Sequence, residues 1–123
     1  MHTLLLAFLL AGLPMAAAAE APGAVPKPFQ GEWNARLEDC GTGMNDSRLV
    51  IGETEVSYFE SGGPVLAAVT QGPELALILE LSGEGETWMT TAQFNLSPDG
   101  QQLPDANRFA EAPMVRYRCP AKP

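Results

Sequence analysis

Histidine is nearly missing from this chain: the only one is His2, inside an apolar leader. Without imidazole, the body of the protein lacks the usual general base, the Ser-His-Asp arrangement and the commonest zinc ligand. Cysteine is scarce too, and Cys40 and Cys119 stand far apart with no Cys-x-x-Cys spacing, which removes the familiar redox and zinc-ribbon patterns. Cations are outnumbered, with 7 Lys and Arg against 15 Asp and Glu for a net charge of −8. The seven form no basic run, so nucleic acid is excluded as an expected partner, and anionic lipid is repelled for the same reason. A sustained helical period is also lacking after the leader; 106–112 has room for a turn or two of helix at most.

The leader itself is informative. Leu4 to Leu13 is apolar, Pro14 interrupts it, and Ala17-Ala18-Ala19 precede Glu20, the pattern of a secretory signal cleaved after Ala19. The run is shorter than the roughly 20 residues of a membrane-spanning helix, so no stable membrane insertion is expected after cleavage. The expected destination is the periplasm or the exterior. Residues 20–28 are Pro-rich and expected to be a flexible segment, and 29–123 are expected to form a single domain.

In an oxidising compartment Cys40 and Cys119 are expected to pair with each other. On the loop-entropy model such a long closure contributes about 4 to 5 kcal/mol, comparable to the whole stability of a small domain.

Between the cysteines the chain alternates short apolar segments with turn residues. Gln30 to Leu37 places Trp33, Ala35 and Leu37 on one face. Arg48 to Ile51 and Val56 to Phe59 flank a turn at Gly52-Glu53-Thr54. Ser61 to Pro64 reads as a further turn before a strand at Val65 to Thr70. After Gln71-Gly72-Pro73, Leu75, Leu77, Leu79 and Leu81 alternate with Ala76, Ile78 and Glu80. Beyond a turn at Ser82 to Glu86, the residues Trp88, Thr90, Ala92, Phe94 and Leu96 share one face. Ser97-Pro98-Asp99-Gly100 signals a hairpin, and Met114 to Cys119 is the last expected strand. The expected fold is all-β: a small antiparallel meander of seven or eight strands, closed into a barrel, with a β-sandwich as the alternative. Cys40 follows the first strand and Cys119 ends the last, and closure makes those strands neighbours.

The segment Phe29-Gln30-Gly31-Glu32-Trp33 resembles the Gly-x-Trp opening strand of the calycins, the group of lipocalins, avidins and small bacterial metalloprotease inhibitors. That resemblance implies a β-barrel in which a basic residue near the end of the chain, Arg116 or Arg118, packs over Trp33. In the inhibitors the N-terminal segment enters the protease cleft, which assigns a comparable role here to Glu20–Pro28.

Trp33, Tyr58, Trp88, Phe94 and Tyr117 are the aromatics available to fill a core or line a ligand site. Glu60 and Glu80 are the carboxylates to watch for hydrolysis without histidine, but no spacing joins them. Glu84 and Glu86 lack an established calcium-ligand pattern, and Ser57, Thr90 and Thr91 lack a base. No catalytic residue, metal or cofactor is expected. The function expected is that of an exported, non-enzymatic binding or interaction module of the cell envelope, with an unknown protein or small ligand as partner. The alternative is an inhibitor of an extracytoplasmic hydrolase such as a metalloprotease, working through the N-terminal arm or the loop Cys40 to Ser47.

Overall fold

The computed structural model of the protein describes Gly12, residues 23–106 and residues 111–121. Apart from Gly12, the expected signal lies outside the described residues, as do residues 20–22 of the Pro-rich segment. A 3-10 turn at Lys27–Phe29 leads into β1 (Gly31–Asn34), and a second at Leu37–Asp39 follows it. Then come β2 (Leu49–Ile51), β3 (Glu55–Tyr58), β4 (Gly62–Gln71), β5 (Glu74–Gly83), β6 (Glu86–Asn95), β7 (Gln102–Pro104) and β8 (Val115–Arg118). All eight belong to one antiparallel sheet in the order β6-β5-β4-β3-β2-β1-β8-β7.

That order is a meander with one wrap, in which β8 returns to pair with β1 through Trp33 opposite Arg118 and Asn34 opposite Tyr117. The sheet curls into a half-barrel whose outer strands β6 and β7 touch at a single bridge, Phe94 to Asp105. The Ala106 amide donates to the Gln93 carbonyl beside it at 2.9 Å. The sandwich alternative is set aside, since one sheet rather than two carries every strand.

The alternation of β5 is realised directly: Leu75, Leu77, Leu79 and Leu81 are all buried, and the residues between them are exposed. With Trp33, Leu49, Ile51, Val56, Val65, Phe94 and Leu103 they fill the concave side of the sheet. Burying a large aliphatic side chain contributes about 1.5 to 3 kcal/mol, so β5 alone accounts for much of the domain's cohesion.

Two strand boundaries differ from the sequence expectation. β1 stops at Asn34 instead of running to Leu37, because the Ala35 amide donates to Ser47 Oγ at 3.0 Å and leaves the ladder. Leu37 consequently sits in a 3-10 turn, 55% exposed, and is no part of the core. β4 begins earlier than expected, at Gly62, because the β3–β4 reversal is tight and the Tyr58 amide donates to the Ser61 carbonyl. Gly63 permits this: a Cβ there would collide with the Glu80 carbonyl oxygen of β5.

Candidate functional site

Construction of the site begins at the wrap. Register places Arg118 directly across from Trp33, and its guanidinium lies over the indole at 4.2 Å from the ring centre. Its Nε donates to the Gly100 carbonyl at 2.8 Å, one terminal nitrogen to Gln30 at 2.7 Å, and the other to the Pro28 carbonyl. One planar fork thus ties the strand opening, the 3-10 turn and the hairpin before β7. Partial burial holds the Arg118 guanidinium below its ordinary pKa. Trp33 Nε1 in turn donates to the Phe29 carbonyl at 3.0 Å, so the buried indole has no unpaired donor.

The N-terminal segment is partly fixed by the same region. Val25 is buried, its amide donates to the Glu53 carbonyl at 2.7 Å, and Gln30 Nε2 donates back to the Val25 carbonyl. A Cβ at Gly23 would strike the Val65 carbonyl. Gly23 and Val25 thus pack on the body of the domain, while Lys27 and Pro28 are exposed.

Beside the wrap, Cys40 and Cys119 form the expected disulfide, with Cα atoms 5.7 Å apart. Asn34 is fully buried against it, and Asn34 Nδ2 lies 3.1 Å from both Cys119 Sγ and Glu32 Oε2. The same carboxylate oxygen accepts the Gly41 amide at 2.8 Å. Glu32 and the two sulfurs cluster closely enough to suggest a metal set, but both sulfurs are committed to the disulfide and offer no thiolate. A surface hollow of about 550 Å³ adjoins this bond, lined by Glu32, Gly41 and Arg118 among others.

These tethers bear on the long connection between β1 and β2, residues 35–48. Cys40 anchors it to β8, and Glu32 holds Gly41. Ser47 is fixed twice, its hydroxyl taking the Ala35 amide and its carbonyl accepting from Arg116 Nε at 2.7 Å. Arg116 is itself buried and paired with Asp105 at 3.0 Å. Between the anchors, Gly41 to Met44 projects into solvent, with Met44 79% exposed. Loops of this length are uncommon between paired strands and are more often functional than connective.

The five aromatics singled out from sequence divide. Trp33 and Phe94 are buried in the core, and Tyr58 packs against it. Burial raises the Tyr58 phenol above its ordinary pKa, with Arg116 opposing and Asp105 reinforcing the shift. Trp88 and Tyr117 are exposed and lie on different strands, β6 and β8. Trp88 has the inward parity of its strand and stands opposite the buried Leu81, yet is 39% exposed. It lines a hollow of about 300 Å³ with Glu60, Ser61, Gly83, Glu84 and Glu86. Sequence spacing alone did not join Glu60 to Glu84 and Glu86; the β3–β4 turn and the β5–β6 hairpin bring them to one place. Glu80 is exposed on the outer face of β5 and belongs to no such group.

Sequence reasoning did not find the Glu32, Asn34 and Arg116 braces; the contacts of Asn34 with Cys119 and of Arg116 with Ser47 join residues remote in the chain. No family model, curated protein or solved structure matches this chain.

Proposed function

We propose that this protein is an exported, non-enzymatic binding module that engages a protein partner through its outer surface. The observation that carries the reading is the filled interior: Trp33, Leu49, Val56, Leu79 and Leu103 have no solvent exposure, and their side chains occupy the space a small ligand would need. Recognition is left to the outside. The disulfide supports an oxidising destination, in keeping with the leader. The packing of Arg118 over Trp33 is what the calycin resemblance implies, and it supports placing the domain beside that group.

One observation favours a more specific second reading, inhibition of an extracytoplasmic hydrolase such as a metalloprotease. A loop held at both ends by a disulfide, a carboxylate and a buried arginine loses little entropy on binding, which is the economy of a rigid inhibitory loop. With Val25 buried and tethered to Glu53 and Gln30, the loop Cys40 to Ser47 is the better candidate contact than an N-terminal arm.

The test replaces Met44 with a photo-crosslinking amino acid in protein exported with its own leader. Adducts at position 44 that excess wild-type protein competes away and excess M44E protein, with its fold retained, does not, support the loop as the contact. Absence of adducts at 44 would remove it.

A further inference from the structure

From Leu49 to Asn107 the chain has no lysine and no arginine, yet nine carboxylates lie in that span. These residues build β2 to β7 and so nearly all of the sheet's length. Every cation falls before Leu49 or after Asn107 in the sequence, so charge is distributed lopsidedly along an acidic chain.

On the outer face of the three longest strands, two of these carboxylates, Glu74 and Glu80, flank an apolar patch. Cross-strand register aligns Val69, Ala76 and Gln93 in one row, and Ala67, Ile78 and Thr91 in the next. Glu80 and Met89 form a third. Val69 and Met89 are each 65% exposed, and Leu66 and Ile78 are exposed beside them. Glu74 and Glu80 border this patch, both on β5 and both solvent-facing. Apolar centres with charged margins are the anatomy of protein interfaces, and contiguous apolar patches on a sheet face are uncommon without a partner.

We propose that the outer face of β4, β5 and β6 docks a cationic protein, whose apolar side chains cover Val69, Ile78 and Met89 and whose lysines or arginines meet Glu74 and Glu80. Charge selects the occupant. A second copy of this chain would bring its own carboxylates to the same margin and a further net charge of −8. An anionic lipid surface is repelled for the same reason. A basic partner gains attraction at long range and covers the apolar rows at contact. The inference is independent of the Met44 loop, which lies on the β1–β2 connection and outside the cation-free span.

The experiment places a photo-crosslinking residue at Val69 in the exported protein, identifies the adduct by mass spectrometry, and measures the purified partner's affinity for two equally charged variants. One carries E74K and E80K on the face, and the other E53K and E111K at exposed sites away from it. The expected result is a basic partner that binds the face variant at least tenfold more weakly than the control variant at low salt, with the gap closing at high salt. Equal weakening of both variants would reduce the effect to net charge and overturn the proposal. So would a homodimer adduct, a lipid adduct, or no adduct at position 69. Repeating the crosslink on M44E separates the two surfaces: adducts at 69 persist if the face acts independently, whatever becomes of the loop.

Discussion

Arg118 lies across the Trp33 indole with its ring-centre distance at 4.2 Å, and its three donor contacts reach carbonyls of Pro28, Gln30 and Gly100. Removing it uncovers the indole and leaves those carbonyls without their charged donor. R118A is expected to lower stability by about 3 kcal/mol in urea unfolding, from the cation–π and charge-assisted contributions together. R118K restores the charge without the planar fork and should recover only part of the loss. Wild-type stability in R118A would deny the arginine its central role.

Reduction of the Cys40–Cys119 bond acts on the unfolded chain, whose ends it no longer joins. The expected loss is about 4 to 5 kcal/mol, enough to lower the thermal midpoint by more than ~10 °C in a domain of this size. A melting curve in reductant that overlays the oxidised one would contradict this.

Among the described residues, Asp105 is the one charged partner of the buried Arg116. Its replacement in D105A strands a guanidinium inside the fold, at a cost of about 3 kcal/mol, and loosens the arginine that holds Ser47. Amide exchange should rise at Ala35, whose proton Ser47 accepts. Exchange confined to the neighbourhood of residue 105 would argue that the loop is held without the brace.

Met44 supplies the opposite case. With nothing packed on it, M44A and M44E should change stability by no more than about 0.5 kcal/mol, while partner binding through the loop falls. Parallel loss of folding and binding would make Met44 structural.

The Tyr58 phenol ionises above its ordinary value because burial disfavours the phenolate. The neutral form is favoured in the fold, so the associated stability is intact below the unfolded-state pKa near 10 and is lost as pH rises through the folded value. Spectrophotometric titration at alkaline pH should show Tyr58 ionising later than tyrosine in the unfolded chain, and Y58F should remove that delayed component.

Much of this architecture was legible because period-two alternation is local. Leu75 to Leu81 announced its buried face, and the paired cysteines announced that the first and last strands meet. Arg116 and Arg118 were indistinguishable by pattern, since both have the same parity on β8; only the register opposite Trp33 decides between them. The early end of β1 was hidden for a related reason, because the competitor for the Ala35 amide is a hydroxyl twelve residues away. Trp88 shows the limit of alternation: its parity is inward and its partner Leu81 is buried, yet it stays exposed, because alternation assigns a face without saying what lies over it. The acidic hollow around it was unreadable because two separate turns must converge to make it.

The pairing of β1 with β8 also sets an order of assembly. Trp33 cannot gain its cover, nor Cys40 its partner, until the segment 79 residues further along has formed and returned. The β4–β5 and β5–β6 hairpins are made of near neighbours and can zip early, whereas the wrap must wait for a long loop to close. A chain emerging from its N-terminus would hold its most deeply buried indole exposed for nearly the whole of its passage, and the last strand to arrive would act as the latch that ends that exposure.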